Sequence, residues 1–314
     1  MLKFILKRIG YAILTLFIIV TLTFILIRLI PGNPIEKMTE QLPENVRESI
    51  YSQYGFDKPI MVQYKQFWKK LILEKDLGES LTYRGRKVTD TIKKFAPISG
   101  KLGIQALVFG VTIGIVLGII AALNRGRWPD YLVMFIAILG ISIPSFVIAS
   151  LLQYFFAIKW GLLPTTGWDG FKYTILPSLA LSFNSIAKYA RYMRANCLDV
   201  INQDYILTAK AKGAPRIHII RKHVLRNAIL PIITLLGPQV AMLFGGSFVI
   251  ERIFSIPGLG SYFVSSVIDR DYTMIMGQTI FIAFLYIISL VVVDILYALI
   301  DPRIKISDDG QGGE

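Results

Sequence analysis

Few residues in this chain are equipped for chemistry. The two histidines, His218 and His223, stand five positions apart, a spacing that puts them on different faces of a helix rather than around one metal ion. Cys197 is the lone cysteine, which excludes an internal disulfide framework and a paired-thiol zinc cluster, and it has no triad context. There is no G-x-x-x-x-G-K-S/T phosphate loop; Gly85-Arg86-Lys87 is only a fragment of one. H-E-x-x-H and G-x-S-x-G are absent as well. Arg28 and Asp294 lie near the ends of apolar runs, and no series of carboxylates marks a proton route between them. The residues therefore argue against an enzyme and against a transporter that powers itself. No catalytic, metal-binding or cofactor-binding residue can be named.

What would have to position any functional group is a set of long apolar runs. Apolar residues make up 54% of the 314, charged residues 18%, and mean hydropathy is +0.56. A soluble chain of this composition would lack a polar skin, so the sequence reads as an all-α, multi-span membrane protein. A helix needs about 20 apolar residues to cross the hydrocarbon. Runs 9–27, 102–123, 131–158, 228–250 and 274–293 qualify, the third holding Pro144, which can kink a membrane helix without ending it. A weaker candidate, 173–187, is short, contains Pro177 and Asn184, and runs into Lys188. In the second run Gly110, Gly114 and Gly118 form a small-xxx-small face suited to close helix packing.

The net charge of +13 is concentrated in particular segments. With six spans, both termini and segments 124–130 and 188–227 share one side, which collects Lys7, Arg8, Arg125, Arg127, Arg191, Arg194 and the many cations of 210–226. The opposite short connections, 159–172 and 251–273, carry only Lys159, Lys172, Arg252 and Arg270. Short loops rich in Lys and Arg stay inside, so both termini are expected in the cytoplasm. The chain then divides into a first span at 1–30, an extracytoplasmic loop domain at 31–98 with breakers at Pro31-Gly32-Asn33-Pro34, a five-span core at 99–302, and a polar, Gly-rich tail at 303–314.

The long inner connection, 199–227, carries the most specific pattern. Asp204 suits an N-cap, Lys210 and Lys212 fall in the last turn, and Gly213 suits the left-handed residue just past a helix end. Pro215 then suits the start of a second helix over 216–227. Ala209 and Gly213, four apart, share a face that would let another backbone approach. Three readings compete: a solvated basic loop, a DNA-binding helix-turn-helix, and a helix that docks in the groove of a cytoplasmic partner. A membrane-embedded segment this short lacks the core a DNA-binding domain needs, so nucleic acid is not an expected partner.

The segment resembles the coupling loop of permease subunits of binding-protein-dependent ABC importers, whose general signature is E-A-A-x-x-x-G followed by I-x-L-P. Leu207-Thr208-Ala209 stands where Glu-Ala-Ala would be, Gly213 matches, and Ile229-Leu230-Pro231 closes the block after a longer interval. The peptide branch's own form of the loop fits better, through Tyr205-Ile206-Leu207-Thr208-Ala209-Lys210-Ala211-Lys212-Gly213 and His223-Val224-Leu225-Arg226-Asn227-Ala228-Ile229-Leu230-Pro231. Asp76-Leu77-Gly78-Glu79-Ser80, Ser142-Ile143-Pro144-Ser145-Phe146, Leu162-Leu163-Pro164, the block Glu251-Arg252-Ile253-Phe254-Ser255-Ile256-Pro257-Gly258-Leu259-Gly260 and Asp301-Pro302-Arg303 agree. Over about residues 1–306 the chain is similar to B-type permeases of the oligopeptide, dipeptide and nickel importer group.

That resemblance implies the type I importer permease fold. It also implies four kinds of partner: a C-type permease, two ATP-binding-cassette ATPases that use ATP and Mg, an extracytoplasmic substrate-binding protein, and a peptide substrate. Asp204, Tyr205, Ala209, Lys210, Gly213, Arg216, His223, Arg226 and Asn227 would contact an ATPase. Gln153, Ser182, Asn184, Ser185 and Gln239 would line the path or bond helix to helix. Glu251, Arg252, Phe254, Pro257 and Gly258 would meet the binding protein, close the outer mouth, or simply form a turn. Pro144, Pro177, Pro231 and Pro238 mark bends or fixed kinks. The competing functions are an importer of the same group for nickel chelate, haem precursor or oligosaccharide, and a membrane scaffold with no transport role.

Overall fold

A computed structural model of the chain describes residues 2–29, 43–45, 48, 51–52, 57–83, 85–229, 231–232, 239 and 248–300. The breakers at 31–34, Pro238, most of the run 228–250, the block at 301–303 and the tail lie outside the described residues. The described chain is helical apart from one antiparallel bridge between Glu79 and Lys87. It divides into two units, Met1–Ser99 with Pro257–Val291, and Gly100–Ile256 with Val292–Glu314.

In the first unit α1 (Leu2–Leu29) is the run 9–27 extended at both ends. It is met by α2 (Ile60–Lys69), which runs on as a π-helix over Lys70–Glu74. The contact is aromatic: Phe17 stacks on Trp68 at 5.3 Å, Phe24 meets Tyr64 edge-on at 5.3 Å, and Thr21 and Tyr64 share a 2.8 Å hydrogen bond between hydroxyls. The same unit holds the start of α3 (Val88–Leu123), with α10 (Leu259–Ile268) and α11 (Tyr272–Ile300) as far as Val291. Val88, Ile92, Leu259 and Met274 form its core. Asp271 fastens the block that the sequence singles out. Its buried carboxylate accepts the Ser80 hydroxyl and the Leu81 N–H, and it caps α11 through the Met274 N–H at 3.1 Å. Asp76-Leu77-Gly78-Glu79-Ser80 is therefore an anchor: it ties its stretch of chain to the start of α11.

The second unit is built around α6 (Phe171–Ile201). The glycine face on α3 works as its spacing predicts. A Cβ on Gly114 would lie 2.6 Å from Tyr189 Cβ, and one on Gly118 would lie 2.6 Å from the Ala190 carbonyl oxygen, so only hydrogen lets the two backbones approach this closely. From its other side α6 meets α4 (Trp128–Ser142), where Gly140 would carry a Cβ 2.8 Å from Ala187. At 31 residues α6 reaches roughly 46 Å, long enough to cross, yet it is too polar to read as a span by composition. Packing explains the weakness of that signal. Ser178, Ser182, Ala187, Ala190 and Cys197 all turn inward onto protein, where small and weakly polar residues serve better than Leu or Ile.

The run 131–158 is not one kinked helix. It breaks at Ile143 and Pro144 into α4 and α5 (Ser145–Leu152, continuing as a π-helix over Gln153–Lys159), which bend 115° apart. Proline disfavours the α region in the residue before it, and Ile143 is extended at φ −90°, ψ 128°, leaving Pro144 as the N-cap of α5. The start of α4 is tied to α6 by a pair the sequence did not announce. Arg194 grips Asp130 with two nitrogens at 2.5 and 2.8 Å, and the same carboxylate accepts the Gly126 N–H at 3.0 Å. Three described helices, α1, α3 and α11, are long and apolar enough to cross a membrane, or four spans if α4 and α5 count as one.

Candidate functional site

The connection after α6 folds into two short helices. α7 spans Asp204–Ala211, so Asp204 is its first residue and the cap position belongs to Gln203, extended at φ −81°, ψ 148°. The shift costs Asp204 its expected capping role but keeps its charge in the first turn, where it suits the helix dipole. At the other end Gly213 has φ +73°. Its N–H reaches the Lys210 carbonyl at 3.0 Å and the Ala214 N–H reaches the Ala209 carbonyl at 3.2 Å. Those two bonds make a complete Schellman motif, which demands a left-handed residue at that point.

α8 begins at Arg216 after Pro215, widens into a π-helix over Ile220–Leu225, and closes through Arg226–Ala228. The π-turn corrects one expectation. Five residues in π geometry make about one turn, so His218 and His223 come together, rings 6.2 Å apart, instead of facing different ways. Among the described residues no three His, Cys, Asp or Glu side chains gather to hold a metal ion.

The two short helices have an inner and an outer face. Ile206, Ile219, Val224 and Ala228 are buried in one cluster with Met193 and Cys197 of α6, and Ala209 and Ala214 pack against it. Ala209 therefore faces this chain's own core and not outward beside Gly213, because Ile206 three residues before it fixes which side of α7 is inward. The outer face carries Tyr205, Gly213, Arg226 and Asn227, with Asp204 at its edge, while Lys210, one turn after Ile206, is exposed at the mouth of a cavity behind the helices. Asn227 donates to the Tyr205 hydroxyl at 3.0 Å, closing the two helices on each other, and His223 sits half-buried 6.4 Å from the Tyr205 ring. Asn196 on α6 donates to the Ala228 carbonyl at 3.1 Å and fixes the exit. Leu207 and Ile217, 56% and 69% exposed, are the large apolar residues of the outer face, and neither is among the contact residues expected from the sequence. Their signal was present: large apolar side chains at positions that the inward register of Ile206 and Ile219 leaves outside.

The polar residues proposed for a path are mostly spoken for. Ser185 accepts from Gln239 at 2.9 Å, and Gln239 in turn accepts the Tyr189 hydroxyl at 2.8 Å. Asn184 donates to the Gly140 carbonyl at 3.3 Å. Ser182 is 1% exposed and donates to the Leu179 carbonyl of its own helix. Gln153 donates to Thr165 and Ile253 carbonyls. These bonds are the helix-to-helix and loop-fastening alternative; Ser185 and Gln239 are the two the structure brings together.

The outer turn divides in the same way. Glu251 and Phe254 are buried, as is Gly258, while Arg252 and Pro257 are exposed. Phe254 also supplies a carbonyl to the Gly167 N–H at 2.9 Å. Outward contact by Glu251, Phe254 or Gly258 is thus corrected: an α-helix over Phe248–Ile253, here α9, turns Glu251 inward, and the Ile256 N–H bonds back to the Glu251 carbonyl at 2.8 Å.

Comparison with known proteins places this geometry. Residues 114–306 match the family model of the binding-protein-dependent transport system inner membrane component, and residues 1–84 match the model of that system's membrane-component N-terminus. The chain belongs to this family. It is a transport component of the inner-membrane type and not an enzyme. It is 44% identical over 310 residues to the dipeptide transport system permease protein DppB of Bacillus subtilis (strain 168), covering 99% of this chain and 100% of that protein. It is 42% identical over 307 residues to the oligopeptide transport system permease protein OppB of Escherichia coli (strain K12), covering 97% and 100%. A crystal structure of an amino acid ABC transporter with histidines shares its fold, at a TM-score of 0.51 and 20% identity over 68% of this chain and 94% of that one. The family match spans the residues that form both the loop at 204–227 and the turn at 251–258.

Proposed function

We propose that this chain is one permease half of a peptide importer and that the outer face of α7 and α8 is where an ATPase subunit docks. The observation that carries the docking assignment is the exposure of Leu207 and Ile217 on two helices whose opposite side is fixed into the core. Apolar side chains held out on a capped, protruding helix are anchors for a groove, by the helix-in-groove mode of recognition. Arg226 and Asn227 would supply the polar rim around them, and Asp204 and Arg216 the two helix starts. Identity above 40% across the whole length to dipeptide and oligopeptide permeases supports the peptide cargo.

The chain would span the membrane six times with both termini inside, pairing with a C-type permease and receiving peptide from an extracytoplasmic binding protein. ATP and Mg would be used by the two ATPases. Their closure would push on α7 and α8, and because these share one core with the end of α6, the motion would pass into the helix on which α3 and α4 pack. Ser185 and Tyr189, which hold Gln239 by hydrogen bonds, lie on that helix and would shift with it. The test is co-purification with its partners in membrane vesicles. Peptide-loaded binding protein should raise ATP hydrolysis and drive peptide uptake, while the chain alone should bind no nucleotide by calorimetry. Uptake that persists without the ATPases would refute the reading.

A further inference from the structure

We propose that a cavity behind the coupling helices seats one anionic phospholipid, with an acyl chain inside and the phosphate held at Arg125 and Lys210. The cavity measures about 570 Å³, within the range of small-molecule sites, and lies wholly in the second unit. Its wall is apolar: Leu123 at the end of α3, Leu198 near the end of α6, and Ile206 and Ile220 of the coupling helices. Two cations, Arg125 and Lys210, and the amide of Asn202 are the polar part of the lining, and no carboxylate belongs to it. Arg125 and Lys210 are exposed, so their charges stand at the mouth and not in the wall. The nearby carboxylate, Asp130, is occupied by two nitrogens of Arg194 and by the Gly126 N–H.

Level and charge select the occupant. From Leu102 to its end at Leu123 α3 carries no charge, a stretch of roughly 33 Å at 1.5 Å per residue, close to the hydrocarbon thickness. Leu123 therefore stands where hydrocarbon gives way to headgroups, and Arg125 stands at the height of a lipid phosphate. An apolar hollow opening at that level, whose charged lining residues are all cations, fits a diacyl anion better than a water-soluble ligand, which would leave the wall unused. Basic pockets between spans on the inner side recognise such headgroups. Because Ile206 and Lys210 belong to α7 and Leu198 to α6, the lipid would bridge the coupling helices to the helix they move.

The test uses the full chain with its partner subunits in phosphatidylcholine nanodiscs containing a trace of phosphatidylglycerol that bears a photoactivatable acyl group, with labelled peptides read by mass spectrometry. Label is expected on the segments holding Leu198 and Ile206. Arg125→Gln should lower it about fivefold, the factor one cation near an anionic lipid supplies, and Lys210→Gln should do likewise. Ile201→Trp, which fills the cavity without altering charge, should abolish it while the protein still inserts and accumulates. A phosphatidylcholine probe should label weakly and ignore Arg125→Gln, and excess inorganic phosphate should not compete. Equal labelling by both probes, displacement by free phosphate, or unchanged labelling in both Gln variants and in Ile201→Trp would overturn the proposal.

Discussion

The turn at 251–258 and the loop at 204–227 look alike as sequence: Gly- and Pro-punctuated, and rich in residues that invite contact. Their structures divide the work differently. In the turn at 251–258 Glu251 and Phe254 are buried, and Arg252, Ser255 and Pro257 are exposed. In the inner loop a well-filled core of Ile206, Ile219 and Val224 leaves other large apolar residues, Leu207 and Ile217, outside. The first region turns Glu251 and Phe254 into its own packing, and the second leaves two large apolar side chains in the open. A motif thus marks a place, while burial decides which of its residues meet the outside.

The largest effect that would sharpen this contrast is Phe254→Ala. Truncating a fully buried phenylalanine should destabilise the protein by about 3 kcal/mol or more. The expected outcome is poor accumulation and a lowered thermal midpoint in detergent. Normal accumulation with lost transport would instead mean that Phe254 serves a partner.

The glycine face of α3, the helical runs and the positive φ of Gly213 were legible because each rests on local rules of spacing and sterics. The break at Pro144, the inward turn of Glu251 and the pairing of Asp130 with Arg194 were not. A proline's effect in an apolar run depends on what packs around it, and a residue's facing depends on register against helices distant in sequence. Ala209 shows the same limit: its four-residue spacing from Gly213 is real, but Ile206 had already fixed that face inward. The paired histidines were misread because a π-turn changes the periodicity from which faces are counted.

Of intermediate size is Gly213→Val. The left-handed φ of +73° costs a residue with a side chain about 1 kcal/mol or more, and more for a β-branched one, although no atom lies within 4 Å of where its Cβ would stand. The strain falls on the Schellman turn between α7 and α8, so the variant should insert normally but lose ATPase co-purification. Gly213→Ala should fall between the two, and wild-type transport by both variants would break the link between this turn and coupling. The smallest effect is expected at Arg252→Ala, an exposed site where stability should change by within about 0.5 kcal/mol. A large loss of accumulation there would contradict the division of the outer turn into buried and exposed residues.

The most direct measurement places a photo-crosslinking amino acid at position 207 on the inner loop and, separately, at position 252 on the outer turn of the assembled importer. Both positions are exposed, so neither substitution should disturb the fold. The account predicts crosslinks to an ATPase subunit from position 207 and none from position 252. An ATPase crosslink from 252, or none from 207 in a complex that still hydrolyses ATP on addition of loaded binding protein, would contradict it.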